Sequence, residues 1–242
     1  MLREDGPVHQ LRFSIMRDEA AIYLDTSGAS LHKRGYRPGH LAAPLRETIA
    51  AAMVDLARYR GRGDFCDPFC GSGTIAIEAA FAALNRAPGA RRHFAAEDWP
   101  VLSPGIWRDE REAAKAREYR GDYRIFASDI APQAVALARQ NAERAGVAQY
   151  IEFSVADALA FSRRTEGGVI VTNPPYGERL MEREEAGRLY ERFGEAYGAL
   201  ENWRLYLLSG HPDFEQCFGR RADKRRKLYN GPIVCYLYSY GR

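Results

Sequence analysis

Cysteine is scarce in this chain: four among 242 residues, Cys66, Cys70, Cys217 and Cys235. None form a C-x-x-C pair and no histidine cluster lies beside them, so no metal site is expected. Buried, reduced thiols in a cytoplasmic protein are the expectation instead. No apolar run is long enough for a membrane span, and no signal peptide is evident. A strong excess of one charge is missing too. The net charge is +3 and the pI about 8.7, so the distribution of charge must carry any argument for nucleic acid. Internal repeats and low-complexity tracts are absent. What is present is enough apolar material for a core: 46% hydrophobic residues, in a length that allows one large α/β domain or two small ones.

The chain is organised around Cys66-Asp-Pro-Phe-Cys-Gly-Ser-Gly-Thr74. This stretch reads as the end of a strand and the start of a helix, Thr74–Leu84. Gly71 and Gly73 bracket a turn where a Cβ would block the bend or a ligand. A helix N-terminus after such a turn suits an anionic group. Gly71-Ser-Gly-Thr-Ile-Ala76 also fits a dinucleotide fingerprint, with Glu97 near the spacing of a ribose-binding acid. Asp67 separates the readings. A carboxylate ahead of the glycines repels a pyrophosphate and attracts an amino acid's ammonium. S-adenosylmethionine carries that ammonium and no phosphate. A dehydrogenase would also need a catalytic His or a Tyr–Lys pair, and neither is evident.

Taken in order, Val8–Ile15 and Ala20–Asp25 read as a hairpin. A basic loop follows, in which His32, Lys33, Arg34, Arg37 and His40 surround Tyr36. Cations around an aromatic suit phosphate contact with base stacking. Pro44 opens a helix over about 45–59. After the central turn, 86–120 reads as an insertion with a charged helix over about 106–119, covering a sheet edge. Tyr123–Asp129 is a strand ending in an acid, with a helix from Pro132 to Ala145 stopped by Gly146. Asp129 is placed to accept ribose hydroxyls, with Ile130 beside it. After the strand Tyr150–Val155, Asp157 and the N–H of Ala158 are placed for adenine. Gly168–Thr172 is a buried strand running into Asn173-Pro-Pro-Tyr176-Gly177. Pro174 and Pro175 have no N–H to offer. The Pro174 carbonyl and the Asn173 side-chain oxygen therefore suit one donor-bearing nitrogen, and Tyr176 offers a stacking face. An amphipathic helix over 189–200 and a strand, Trp203–Ser209, come next. Arg220, Arg221, Lys224, Arg225, Arg226 and Lys227 form the densest basic run, expected to leave from the ligand edge of the sheet. Strands at 227–229 and 233–240 close the chain through Asn230-Gly231, a hairpin signal. The alternation describes an open, mostly parallel α/β sheet with an antiparallel strand and helices on both faces, its loops converging at the strands' carboxyl ends.

Asp67-Pro-Phe-Cys-Gly-Ser-Gly-Thr74 together with Asn173-Pro-Pro-Tyr176 resembles the class I S-adenosylmethionine-dependent methyltransferases of the amino-group type. Leu31-His-Lys-Arg-Gly-Tyr-Arg37, Ala43-Pro-Leu-Arg-Glu-Thr48 and Lys227-Leu-Tyr-Asn-Gly231 narrow the resemblance to THUMP-associated RNA methyltransferases. It implies a Rossmann-like, seven-stranded sheet with a C-terminal antiparallel hairpin. It implies a methyltransferase domain over 41–242, with 1–40 as a junction to an N-terminal THUMP domain. S-adenosylmethionine would be held by Asp67, Pro68, Phe69, Cys70, Gly71, Gly73, Thr74, Asp129, Ile130, Asp157 and Ala158. Asp67 takes the ammonium, and backbone N–H groups around Gly71–Gly73 take the carboxylate. Asn173, Pro174 and Tyr176 would serve the target base. Lys33, Arg34, Tyr36, Arg37, Arg225, Arg226 and Lys227 would bind RNA. The implied reaction is methylation of a base amino group in RNA, foremost guanine N2 in large-subunit ribosomal RNA. Transfer RNA, adenine N6 of DNA, a protein glutamine amide and a non-catalytic nucleic-acid-binding module are the alternatives.

Overall fold

The computed structural model describes residues 6–37, 45–161, 167–176 and 183–241. It opens on a hairpin, β1 (Gln10–Met16) and β2 (Glu19–Asp25), turning through Arg17 and Asp18. Both turn residues have positive φ, 53° and 63°. Two successive left-handed residues give a turn whose twist matches paired strands. The apolar alternation of β1 marks no buried face here. Leu11, Phe13 and Ile15 lie opposite Leu24, Ile22 and Ala20, and this face is open, Phe13 being 81% exposed. Trp99 ties the hairpin to the body: its Nε1–H donates to the Val8 carbonyl at 3.4 Å and its ring lies 4.8 Å from His9.

The body follows as α1 (Glu47–Leu56), β3 (Asp64–Asp67), α2 (Thr74–Leu84), α3 (Pro104–Ala116), β4 (Arg124–Asp129), α4 (Pro132–Ala145), β5 (Ile151–Val155), β6 (Gly168–Thr172), α5 (Arg183–Gly198), β7 (Trp203–Ser209), α6 (Phe214–Cys217), β8 (Lys224–Asn230) and β9 (Ile233–Tyr240). Seven strands form one sheet in the order β5-β4-β3-β6-β7-β9-β8. β3 to β7 run parallel, and β9 is antiparallel to both of its neighbours. The order reverses between β3 and β6, which opens a crevice at their carboxyl ends.

Side-chain alternation builds a core on each face of the sheet. Phe65, Val169, Val171 and Leu208 join α1, α2 and α4 on one side. Cys66, Ile170, Leu205 and Leu207 join α5 and α6 on the other. These strands carry apolar residues on both faces, as a sheet covered twice requires.

Several boundaries differ from expectation. The central helix and its turn fall where the residues place them. α1 is shorter than 45–59, and Pro44 lies outside the described residues, as do His40 and Gly177. α5 begins earlier than expected: Glu184 and Glu185 face its positive N-terminal end, and periodicity undercounts such a polar first turn. The insertion binds neighbouring helices and the 26–30 segment. Arg86 donates to Glu118 and to the Gly146 carbonyl, and Arg92 to the carbonyls of Ser27, Ala29 and Ser30. The closing hairpin turns through Gly231 and Pro232, with Asn230 still in β8. Gly231 has φ +68°, as the first position of such a two-residue loop requires.

Candidate active site

Asp67 ends β3 and is 1% exposed. The hydroxyl of Thr172, at the end of neighbouring β6, donates to its Oδ1 at 2.7 Å, and Phe69 N–H adds a longer contact at 3.4 Å. Its Oδ2 is buried and accepts no hydrogen bond among the described residues. Burial pushes the Asp67 carboxyl up to about 7, and nearby Asp129 pushes the same way. A buried carboxylate with one oxygen unsatisfied is costly by itself. It fits a cationic donor, and an ammonium is one.

The turn beyond Asp67 is held from several sides. Pro68 is buried, Phe69 packs edge-on against Phe193 of α5 at 5.2 Å, and the Cys70 N–H donates to the Ser128 carbonyl at 2.8 Å. Burial pushes the Cys70 thiol well up, which leaves it inert. Gly73 has φ +81°, and a Cβ there would lie 2.9 Å from the Ala138 side chain of α4. Close packing of two helices, as well as the bend, thus demands this glycine. The N–H groups are largely committed. Gly71 donates to Asp129 Oδ2 at 3.0 Å and Gly73 to the Cys70 carbonyl at 2.7 Å. Of the backbone N–H groups around Gly71–Gly73 expected near a ligand carboxylate, those of Gly71 and Gly73 are thus already engaged.

Asp129 serves the turn as well as the crevice. Its Oδ1 accepts from Ala131 N–H at 3.0 Å while Oδ2 holds Gly71. Each oxygen keeps a second lone pair for a hydroxyl. Beside it Ile130 is 69% exposed, and Val155 at the end of β5 is 55% exposed. Two open apolar side chains at adjacent strand ends make a surface for a flat ring. Asp157 is exposed, and its Oδ1 caps the short turn Ala158–Ala160 through Leu159 N–H at 2.9 Å. Ala158 is buried beneath it.

Asn173 follows Thr172 directly, so the bond from Thr172 to Asp67 ties the two loops together. The Asn173 Oδ1 is buried and accepts no hydrogen bond among the described residues. Pro174 is buried, and Tyr176 is half-buried against both cores beside Gly210. A brace not legible in the sequence supports the loop. Tyr190 of α5 donates to the Pro175 carbonyl at 2.7 Å and lies 3.0 Å from the Ser209 hydroxyl. Nothing local marks a helical tyrosine as such a brace, since its partners lie 15 and 19 residues away.

The basic segments fall differently from expectation. Tyr36 is 2% exposed and packs edge-on against Phe81, so no base can reach its face. Arg34 pairs with buried Glu78 at 3.3 Å. Arg37 lies 3.5 Å from buried Glu47 and donates to the Leu45 carbonyl and the Thr74 hydroxyl. Lys33 stays exposed. Residues 224–227 of the second run lie in β8, an edge strand. Lys224 lies across from Ser239 and Lys227 across from Tyr236, whose other partner is Ser209. The run therefore climbs toward the ligand edge instead of leaving from it, and Lys227 is level with that edge. Arg225 is partly engaged, 3.7 Å from Glu215 and 4.7 Å over the Tyr236 ring. Among the described residues no three His, Cys, Asp or Glu side chains group as metal ligands.

Known proteins resemble this chain over most of its length. The model of the RMKL-like methyltransferase domain (UPF0020) matches residues 34–239. YpsC of Bacillus subtilis, provisionally named an RNA methyltransferase, is 44% identical over 240 residues, covering 99% of this chain and 62% of that protein. The ribosomal RNA large subunit methyltransferase K/L of Psychromonas ingrahamii is 40% identical, covering 95% of this chain and 32% of that one. The solved structure of SMU.472, described provisionally as a methyltransferase and complexed with SAH, is 39% identical with a TM-score of 0.90, covering 99% of this chain and 63% of that one. The chain thus spans about a third to two thirds of the relatives it matches. With 206 of its residues inside the family model, and with the turn and the Asn-Pro-Pro-Tyr loop meeting at the switch point of a methyltransferase sheet, this chain belongs to the RMKL-like methyltransferase domain family.

Proposed function

We propose that this chain is the catalytic domain of an S-adenosylmethionine-dependent RNA methyltransferase acting on the exocyclic amino group of a base, foremost N2 of a guanine in large-subunit ribosomal RNA. One observation carries the reading. Two buried acceptor oxygens, Asp67 Oδ2 and Asn173 Oδ1, accept no hydrogen bond among the described residues, on adjoining loops of one sheet edge. One is a carboxylate suited to an ammonium, the other an amide oxygen suited to a neutral amine. The names of the relatives and the SAH complex of a 39% identical neighbour support the same assignment.

Bound S-adenosylmethionine supplies an electrophilic methyl group on a sulfonium. The remaining work belongs to this chain's residues. Asp67 accepts from the ammonium, Asp129 from the ribose, and Ile130 and Val155 flank the adenine, with Asp157 and the Ala158 N–H at its edge. The target base leaves its stack and lies on Tyr176. Asn173 Oδ1 and the Pro174 carbonyl accept from its amino group. That raises electron density on the nitrogen and fixes its line of approach. Orientation supplies most of the rate, and Tyr190 holds the loop that provides it.

RNA contact outside the pocket falls to Lys33, Arg226 and Lys227, with Arg225 shared with Glu215. Arg34 and Tyr36 are spent inside the fold, and Arg37 lies against Thr74 at the cofactor turn. Residues 1–40 act as a junction to a THUMP domain, and the open apolar face of the hairpin fits such a contact. Incubating the protein with methyl-labelled cofactor and ribosomal RNA, transfer RNA, DNA or total protein tests the assignment. Label is expected in ribosomal RNA, and as N2-methylguanosine after digestion to nucleosides. Label in N6-methyladenosine of DNA, or in protein alone, would contradict it.

A further inference from the structure

Charge at the cofactor turn is lopsided. Asp67, Asp129, Glu47 and Glu78 stand around it, and the first, third and fourth are buried. Arg34 pairs with Glu78 and Arg37 with Glu47. In the reading above, which this inference deepens, the cofactor brings a carboxylate into that setting. Beside Asp67 and Asp129 alone it would be repelled. The N–H groups of Gly71 and Gly73, the obvious receivers, already donate to Asp129 and to the Cys70 carbonyl. A cation at the start of α2 would offset that repulsion.

Arg37 is the cation that touches the turn among the described residues. Its guanidinium donates to the hydroxyl of Thr74, the first residue of α2, and to the Leu45 carbonyl at 3.0 Å. Its Nε is buried, 3.5 Å from Glu47, and makes no hydrogen bond among the described residues. Arg34 instead engages Glu78, a turn further along α2, and, at 2.9 Å, the Leu31 carbonyl. We propose that Arg37 receives the carboxylate of S-adenosylmethionine at the first turn of α2, with Glu47 holding the guanidinium in place. A planar fork of donors suits a carboxylate. The helix N-terminus adds attraction of the same sign.

The test is calorimetric titration with S-adenosylmethionine and with its decarboxylated analogue, which keeps the ammonium, sulfonium and adenosine. Wild type is expected to bind the natural cofactor about ten- to a hundredfold more tightly than the analogue. Arg37→Gln and Arg37→Met should weaken the natural cofactor by that factor and leave the analogue nearly unchanged, so the preference disappears. Arg37→Lys should retain part of it. Taking the ratio of the two ligands cancels any general loosening of the fold. Arg37→Gln keeps an uncharged donor for Thr74 and Leu45, should Arg37→Met fail to fold. A wild-type preference that survives either neutral substitution would overturn the proposal, as would an equal loss for both ligands. Failure of wild type to bind S-adenosylmethionine would instead remove the cofactor assignment and this inference with it.

Discussion

The two basic segments look alike in the sequence and differ in the fold. Over 32–37, Arg34 and Arg37 are nearly buried against Glu78 and Glu47, with side-chain exposures of 10% and 11%. Over 224–227 the side chains of β8 lie open on a sheet edge. The difference is made by acids far away in the chain. Glu78 is 44 residues from Arg34, and the 31–37 loop must pack on α2 before the pair exists. A charge run becomes a surface only where no such acid meets it.

Breaking the first segment should have the largest effect. Removing one partner of a buried pair strands the other, at a cost of about 3–5 kcal/mol. Arg34→Ala should lower the thermal midpoint accordingly. An exposed pair would cost under about 1 kcal/mol, and a midpoint shift that small would place Arg34 with the second segment after all.

Asp67 sharpens the comparison, being a buried acid with no cation of its own among the described residues. Its folded value, about 7, lies above the value of about 3.9 for an unfolded aspartate. The folded state thus holds the proton more tightly. Its contribution to stability is greatest below about pH 4 and is lost as pH rises to about 7, amounting to a few kcal/mol. Asp67→Asn should flatten that part of the stability–pH curve and melt higher than wild type at pH 8. Cofactor binding should show the opposite trend, because the ammonium needs the ionised carboxylate. Affinity should fall up to about tenfold per pH unit below 7 in wild type and stay level in Asp67→Asn. Calorimetry from about pH 5.5 to 7.5 checks this, and parallel wild-type and mutant curves would refute it.

The smallest effect belongs to the edge strand. Arg226→Ala with Lys227→Ala should leave the thermal midpoint nearly unchanged, within about 0.5 kcal/mol. RNA binding should weaken, and the salt dependence should flatten by roughly 0.7–0.9 log units for each phosphate left without its cation. An unchanged slope would mean that these charges only keep the edge soluble, as edge lysines and arginines often do.

The sheet and both loops were legible because their signals are local. Gly71 and Gly73 need unusual backbone angles, and Pro174 and Pro175 fix theirs, so the chain states them wherever it lies. Alternation over Val8–Ile15 was equally clear, and in the structure that apolar face is open. Periodicity reports which side chains share a side, not what covers them. The Tyr190 brace and the Arg–Glu pairs were not legible, since each joins residues that only the packed fold brings together. The committed N–H group of Gly71 escaped for the same reason: Asp129 is 58 residues away.

The central claim is a division of labour between two buried acceptor oxygens, Asp67 for the cofactor and Asn173 for the base. The most direct measurement pairs cofactor affinity with single-turnover methyl transfer in Asp67→Ala and Asn173→Ala. Asp67→Ala should lose about 1.5–3 kcal/mol of cofactor affinity. Asn173→Ala should bind cofactor nearly as wild type and transfer methyl about a hundredfold or more slowly. Equal losses in both quantities for both variants would show that the two loops form one cofactor site, and would contradict the account.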